Sequence, residues 1–205
     1  IACCDSHTST HGALGAVAFA VGTTQIEQIL SRQSVIMKQP KVRKIEINGL
    51  LSPAVYAKDV ILWVINKLGV NGGIGYAYEY SGSTIEDLSQ EARFTLCNMT
   101  IEGGAKIGYV NPDEKTFEYL NGRKFMPVGQ EFEKAKDYWS SVASDSDANY
   151  EDIVKFIAEE IEPMVTWGTN PGQSSPVSGK TPLIDRLPEK EKATVKKALK
   201  YMQLP

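Results

Sequence analysis

Asp5, Ser6 and His7 set a carboxylate, a hydroxyl and an imidazole in consecutive positions near the start of the chain. Together they offer a hydrogen-bond acceptor, a donor and a group that titrates near neutral pH. His11 follows four residues after His7, so both histidines of the chain fall within one short stretch. The segment comes after a short apolar run, Ile1 to Cys4, that reads as a buried strand, and before a glycine-rich stretch. Loops at the carboxyl ends of strands in α/β sheets are where ligands bind. The plainer alternative is a polar turn, with Asp5 and Thr8 capping the next helix and the histidines merely exposed. A zinc site from Cys3, Cys4, His7 and His11 is a poor fit, because adjacent cysteines rarely ligate one ion. A serine nucleophile at Ser6 lacks the surrounding Gly-x-Ser-x-Gly elbow.

Two further segments carry candidate chemistry. Asn98 and Glu102 are four residues apart, so on a helix they share one face, away from the stripe of Leu88, Ala92 and Met99. They precede Gly103-Gly104, and an amide and a carboxylate there could meet a polar ligand; a solvent-facing pair is the alternative. Thr166 to Gln173 reads Thr-Trp-Gly-Thr-Asn-Pro-Gly-Gln, with Trp167 as an anchor and Asn170-Pro171-Gly172 as a tight turn. The alternative there is a structural Ω-loop.

The elements that must position these groups follow from periodicity. Gly12 to Val21 is small and apolar and reads as a tightly packed helix. Gln25 to Val35 reads as a second, with Ile26, Ile29 and Leu30 on one face. Val42 to Ile47 alternates as a strand and Asn48-Gly49 turns. Ser52-Pro53 predicts a helix start, running to Leu68 with Gly69 as its stop. Tyr76, Tyr78 and Tyr80 have strand spacing. Ser83 to Glu86 is a capping box for a helix that ends near Gly103. Ile107 to Val110 is a strand, and Asp113 to Leu120, Gln130 to Val142 and Glu189 to Met202 are helices. Tyr150 to Glu162 fits a helix or a strand, and Trp167 to Gly179 is a long loop. Ser144 to Asn149 is the best linker, which divides the chain into a core segment, 1–143, and a segment 144–205 leading onward. Alternating strands and helices indicate an α/β fold.

Composition narrows the class. The 205 residues are 42% hydrophobic and 23% charged, with a net charge of −3, ordinary for a globular chain that buries a core without disulfides or metals. The basic residues are dispersed, so no nucleic-acid partner is expected. The lysines between Lys190 and Lys200 read as a solvated helix face. No apolar run is long enough to cross a bilayer. Three cysteines, two of them adjacent, do not make a disulfide framework, and a reducing, cytoplasmic setting is expected. The opening on Ile1, with neither Met nor a basic leader, reads as the interior of a longer chain.

The segments singled out above also carry a resemblance. Asp-Ser-His-Thr-Ser-Thr-His-Gly-Ala at 5–13 resembles the hallmark of the isopropylmalate dehydratase branch of the aconitase family, and its first four residues recur in aconitases. Thr95-Leu96-Cys97-Asn98-Met99 with Glu102 resembles the second family signature. Val165 to Gln173 is similar to a third segment of the same large subunits. Gly12 to Gln33 and Lys58-Asp59 fit as well, so the resemblance covers essentially the whole chain.

It implies an aconitase-like layered α/β/α architecture, incomplete here, and a hydro-lyase that interconverts 2-isopropylmalate and 3-isopropylmalate through 2-isopropylmaleate in leucine biosynthesis. It implies a [4Fe-4S] cluster whose three cysteines lie C-terminal to these residues, so no metal ligand is expected within this chain. It also implies a separate small subunit as partner. Asp5 and His7 are implied as catalytic, with His7 protonating the departing oxygen and Asp5 orienting it. Ser6, Asn98 and Glu102 are implied as substrate-side residues. Cys4 stands where the family has Gly, and would crowd the turn if the backbone there had a positive φ. Two other readings stay open: a related isomerase of homoaconitate, citramalate or maleate type, and a non-catalytic module that keeps the fold. A reading frame continuing into Gly-Ser-Cys-Thr-Asn and Cys-x-x-Cys would favour the enzyme. Flanking start and stop codons would favour the module.

Overall fold

Alternation of charged and apolar residues from Lys41 to Asn48 is what a strand needs to bury one face, and this strand lies in the centre of the molecule. The computed structural model describes residues 1–204. In chain order it contains β1 (Ala2–Cys3), a 3₁₀ segment (Thr8–Leu14), β2 (Phe19–Ala20), α1 (Thr23–Arg32), β3 (Lys41–Asn48), α2 (Ala57–Leu68) and β4 (Tyr76–Ser81). There follow α3 (Ser83–Asp87), α4 (Gln90–Asn98), a second 3₁₀ segment (Met99–Gly103), β5 (Ile107–Val110), α5 (Glu114–Leu120) and α6 (Gln130–Ser141). The chain continues through β6 (Asp152–Ile157), β7 (Met164–Thr166), β8 (Ser174–Pro176) and α7 (Glu189–Tyr201).

The main sheet has the order β5-β4-β3-β6, and every pairing in it is parallel. Parallel pairing with helical crossovers makes this an α/β fold. Ile45 and Ile47 on β3 and Tyr78 and Tyr80 on β4 are buried in one core with Val60, Ile61, Val64 and Ile65 of α2 and Leu96 and Cys97 of α4. β6 comes from beyond the Ser144–Asn149 stretch, yet it is an edge strand of this same sheet. Glu79 holds that excursion down: its buried carboxylate accepts from the Tyr109 and Tyr150 hydroxyls, the Ser144 hydroxyl and the Asn111 amide. Among the described residues no helix is long and apolar enough to cross a membrane.

Several sequence expectations are corrected. The helix expected over Gly12 to Val21 is instead the 3₁₀ segment Thr8–Leu14, stopped by Gly15 at φ 77° and followed by β2. Glycine-rich sequence has little helical preference, and close backbone packing takes over. Ile1 to Cys4 is a strand only at Ala2–Cys3, paired in parallel with β2, and it is exposed rather than buried. The α1 stripe is not a core face: no residue of that helix is buried, and Leu30 is exposed.

Ser52-Pro53 does not start a helix. It forms a turn closed by the Val55 N–H on the Ser52 carbonyl, and α2 begins at Ala57 with Asp59 accepting the Tyr56 N–H. The Ser83 capping box does not form either. Asn48 Oδ1 accepts the Ser83 N–H and the Ser83 hydroxyl accepts the Gly49 N–H, so the cap comes from across the sheet. The expected single helix also breaks after Asp87, and Ser89 caps the next piece through the Ala92 N–H. Tyr150 to Glu162 resolves as β6 and a short 3₁₀ turn. The loop expected over Trp167 to Gly179 contains β8, antiparallel to β7.

Candidate functional site

The loop after β1 and the end of α4 meet, and they bring together three residues singled out from sequence. His7 Nδ1 lies 3.0 Å from the Asn98 carbonyl oxygen, and His7 Nε2 lies 3.7 Å from Glu102 Oε1. A carbonyl can only accept, so Nδ1 carries the proton and Nε2 is the nitrogen left to gain or lose one. That nitrogen faces a carboxylate. The second oxygen of the pair, Glu102 Oε2, is buried without a hydrogen-bond partner. A buried carboxylate oxygen lacking a donor marks a place where a proton or a polar ligand would be welcome.

The other two sequence candidates sit differently. Asp5 Oδ1 accepts the main-chain N–H of His7 at 2.6 Å, so its carboxylate orients the His7 backbone rather than the ring. Ser6 is exposed at the rim. Cys4, also exposed, is not among the residues with positive φ, so the turn accommodates its side chain without backbone strain.

Side-chain hydroxyls stitch this loop to α4. Ser9 donates to the Cys97 carbonyl at 2.8 Å, and the Asn98 amide donates to Thr10 Oγ1 at 3.0 Å. Carbonyls at the end of a helix lack intrahelical partners, so the Ser9 bond satisfies a group that would otherwise be orphaned. Gln90 Nε2 donates to the Ala13 carbonyl at 2.6 Å, binding the 3₁₀ segment to the start of the same helix. Sequence reasoning did not single out Ser9 or Thr10; the signal was a run of hydroxyl residues in a loop too short to satisfy them internally.

Beneath the site the backbones touch. A Cβ on Gly12 would lie 1.8 Å from the Gly108 carbonyl oxygen on β5, and one on Gly108 would lie 2.3 Å from Thr100 Oγ1. Thr100 is buried between Asn98 and Glu102 in the chain. Its hydroxyl donates to the Leu96 carbonyl at 2.9 Å and therefore accepts from Tyr80, whose oxygen is 2.8 Å away. Burial pushes the Tyr80 phenol well above its ordinary range, so it stays a donor.

Arg93, fully buried on α4, fixes the other side. It binds both oxygens of Asp113 at 2.7 and 2.6 Å and the carbonyls of Ile85 and Glu86. Burial works against ionisation of Asp113, but the Arg93 and Thr116 hydrogen bonds outweigh it and hold the carboxyl below its usual range.

The third sequence segment, Thr166 to Gln173, closes on itself. Gln173 is buried, its carbonyl accepts the Trp167 N–H and its side chain accepts the Thr169 N–H. Thr166 and Pro171 share a cavity of about 690 Å³ with Met99, Lys58 and Tyr56, so the loop borders the residue next to Asn98.

The cysteines do not suit a shared metal. Cys3 and Cys4 are exposed on the opening strand and turn, whereas Cys97 lies in the core. Burial pushes the Cys97 thiol far up, only partly countered by Arg93, which keeps it from supplying the thiolate a metal needs. Among the described residues no group of three or more His, Cys, Asp or Glu is placed to hold an ion.

Comparison with known proteins identifies the chain's relatives. The aconitase family (aconitate hydratase) model matches residues 1–205. A 3-isopropylmalate dehydratase large subunit from Rippkaea orientalis is 57% identical over 204 residues, covering 100% of this chain and 44% of that protein. The large subunit of the same name from Thermus thermophilus is 58% identical over 202 residues, 98% of this chain and 43% of its own. One from Sorangium cellulosum is 57% identical over 205 residues, 100% of this chain and 44% of its own. The chain thus spans less than half the length of the curated relatives it matches.

Proposed function

The chain belongs to the aconitase family, and we propose that it forms part of the large subunit of a hydro-lyase interconverting 2- and 3-isopropylmalate in leucine biosynthesis. The observation that carries this reading is the His7 ring, with Nδ1 committed to the Asn98 carbonyl and Nε2 turned to Glu102. Such a ring can hold a proton on Nε2 and release it to a departing oxygen. Elimination of a hydroxyl needs that proton, and the reverse hydration needs its removal, so one group serves both directions. Asp5 keeps the His7 main chain fixed during the exchange. Glu102, whose Oε1 lies beside His7 Nε2, supplies the carboxylate for a substrate hydroxyl. Asn98 and the rim hydroxyl of Ser6 complete the substrate-facing set.

The family's [4Fe-4S] cluster would polarise the leaving hydroxyl as a Lewis acid. The cysteines of this chain do not fit its ligand set, so the proposal assigns the cluster to cysteines outside these residues and derives no step through it. A stoichiometric cluster formed by the 205-residue chain alone, measured as iron and sulfide after anaerobic reconstitution, would overturn that assignment. The partner in this reading is a separate small subunit, in a reducing, cytoplasmic setting suited to three free cysteines.

The substrate is tested by assaying the complete large subunit containing this sequence, joined to its small subunit, on 3-isopropylmalate, citraconate and homoaconitate. Preferred turnover of 3-isopropylmalate is expected. Preference for either of the others would replace this reading with a related isomerase, and inactivity on all three would favour the non-catalytic module.

A further inference from the structure

We propose that Thr10 is a positioning residue whose hydroxyl couples the His7 main chain to the Asn98 side chain and so holds the His7 ring in its working tautomer and orientation. This rests on the acid–base reading of His7 above.

The argument is one of hydrogen-bond capacity. A threonine hydroxyl has one proton and two lone pairs. Thr10 spends the proton on the His7 carbonyl, at 2.7 Å, and a lone pair on the Asn98 amide, at 3.0 Å. The carbonyl of that same Asn98 takes the His7 Nδ1 proton. Residue 7 is therefore held by residue 98 in two places: directly at its ring, and through Thr10 at its main chain. The closed circuit leaves the imidazole little freedom to rotate away from Glu102.

The rest of the loop is anchored without Thr10. Ser9 reaches the Cys97 carbonyl, Thr8 Oγ1 donates to the Asp5 carbonyl, and Asp5 accepts the His7 N–H. Losing the Thr10 hydroxyl therefore leaves the loop docked but opens the circuit. The His7 main chain then loses its link to the Asn98 side chain, and residue 98 holds residue 7 only at its ring, through the Asn98 main-chain carbonyl.

The chain supplies its own control. His11 Nδ1 lies 2.9 Å from the Thr8 carbonyl, a contact made without the Thr10 hydroxyl, so His11 adopts the same tautomer independently. These 205 residues hold two histidines, and segmental ¹⁵N-histidine labelling of this stretch within the complete large subunit makes their ring nitrogens assignable. The experiment compares ¹⁵N–¹H ring spectra of that protein with those of Thr10→Val and Thr10→Ser at alkaline pH. In the parent both neutral rings show Nδ1–H. Thr10→Val loses the uniform Nδ1–H signature at His7 but keeps it at His11, and Thr10→Ser restores it. In the complete enzyme Thr10→Val lowers kcat by up to ~100-fold with little change in KM, as a misplaced reacting group does, and Thr10→Ser recovers it.

An unchanged His7 spectrum in Thr10→Val would overturn the positioning role. So would loss at both histidines, which would report general loosening of the loop. A parent His7 already protonated at Nε2 when neutral would instead refute the acid–base reading on which the role depends. Failure of Thr10→Ser to restore the signature counts against the circuit, since serine retains both the donor and the acceptor.

Discussion

Gly12→Ala is the substitution in which the structure commits itself most fully. The added methyl would sit 1.8 Å from the Gly108 carbonyl oxygen, 2.8 Å from its carbonyl carbon and 3.1 Å from the Tyr109 Cα, all of them main-chain atoms. A carbon–oxygen contact needs about 3.3 Å, so the 3₁₀ segment must lift from β5 by about 1.5 Å. β5 has little room to yield, because Thr100 stands close to Gly108. His7 is the residue immediately before the lifted segment, and a shift of that size takes its 3.0 Å contact with the Asn98 carbonyl beyond hydrogen-bonding range. Overpacking of this kind costs about 1–3 kcal/mol, and for a chain of this length each kcal/mol lowers Tm by about 2–4 °C. Misplacement of a reacting group by about 1 Å lowers kcat/KM by about 100-fold. The two effects separate by assay: thermal unfolding followed by circular dichroism reads the first, and turnover well below Tm reads the second. A Gly12→Ala enzyme with unchanged Tm and kcat/KM would show that the 3₁₀ segment does not rest on β5, and the account of how His7 is positioned would fail.

Asp113→Asn leaves the fully buried Arg93 guanidinium without its counter-charge; Asp113 is itself partly exposed and solvent screens the pair, so unfolding by denaturant should show a loss of about 1–3 kcal/mol. The same pair sets an acid limit. The folded-state pKa of Asp113 lies below its unfolded value, so its stabilising contribution is fully present above the unfolded carboxylate range and fades as pH falls through the depressed folded value. The Asn variant should therefore lose part of that acid-side slope in a stability–pH titration. Glu79→Gln replaces one acceptor oxygen of a carboxylate that receives four neutral donors with a donating amide, and should cost about 1–3 kcal/mol. Hydrogen exchange in that variant should rise first around Ser144 and Tyr150, which Glu79 fastens to the sheet.

Much of this architecture could be read from the residues. Alternation identified β3 and β4, Ile107 to Val110 read as the strand it is, Gly69 stopped its helix as its chemistry predicts, and a helix was expected from Asp113, which caps α5. The errors share a cause. Ser83, Ser52 and the glycine-rich stretch after His11 were judged by local signals, but each is governed by a distant partner. Asn48 takes the role of the Ser83 cap, a turn absorbs Pro53, and Gly108 claims the surface of Gly12. The site divided along the same line. Asp5, His7, Asn98 and Glu102 stood out as candidates by residue type and spacing, and their roles were implied by resemblance alone. That the ring of His7 would meet a main-chain carbonyl rather than Asp5, and that Thr10 would bridge to Asn98, depended on how the end of α4 abuts a loop some ninety positions earlier in the sequence.

The central claim is that His7 carries the proton exchanged with the departing oxygen. It is tested most directly by His7→Gln in the complete enzyme, with dehydration of 3-isopropylmalate followed under single-turnover conditions and substrate affinity measured separately. The account predicts a fall in the chemical step of about 10²–10⁴-fold with substrate affinity nearly unchanged. A variant that dehydrates the substrate at the parent rate, or one whose whole defect lies in substrate binding, would contradict it.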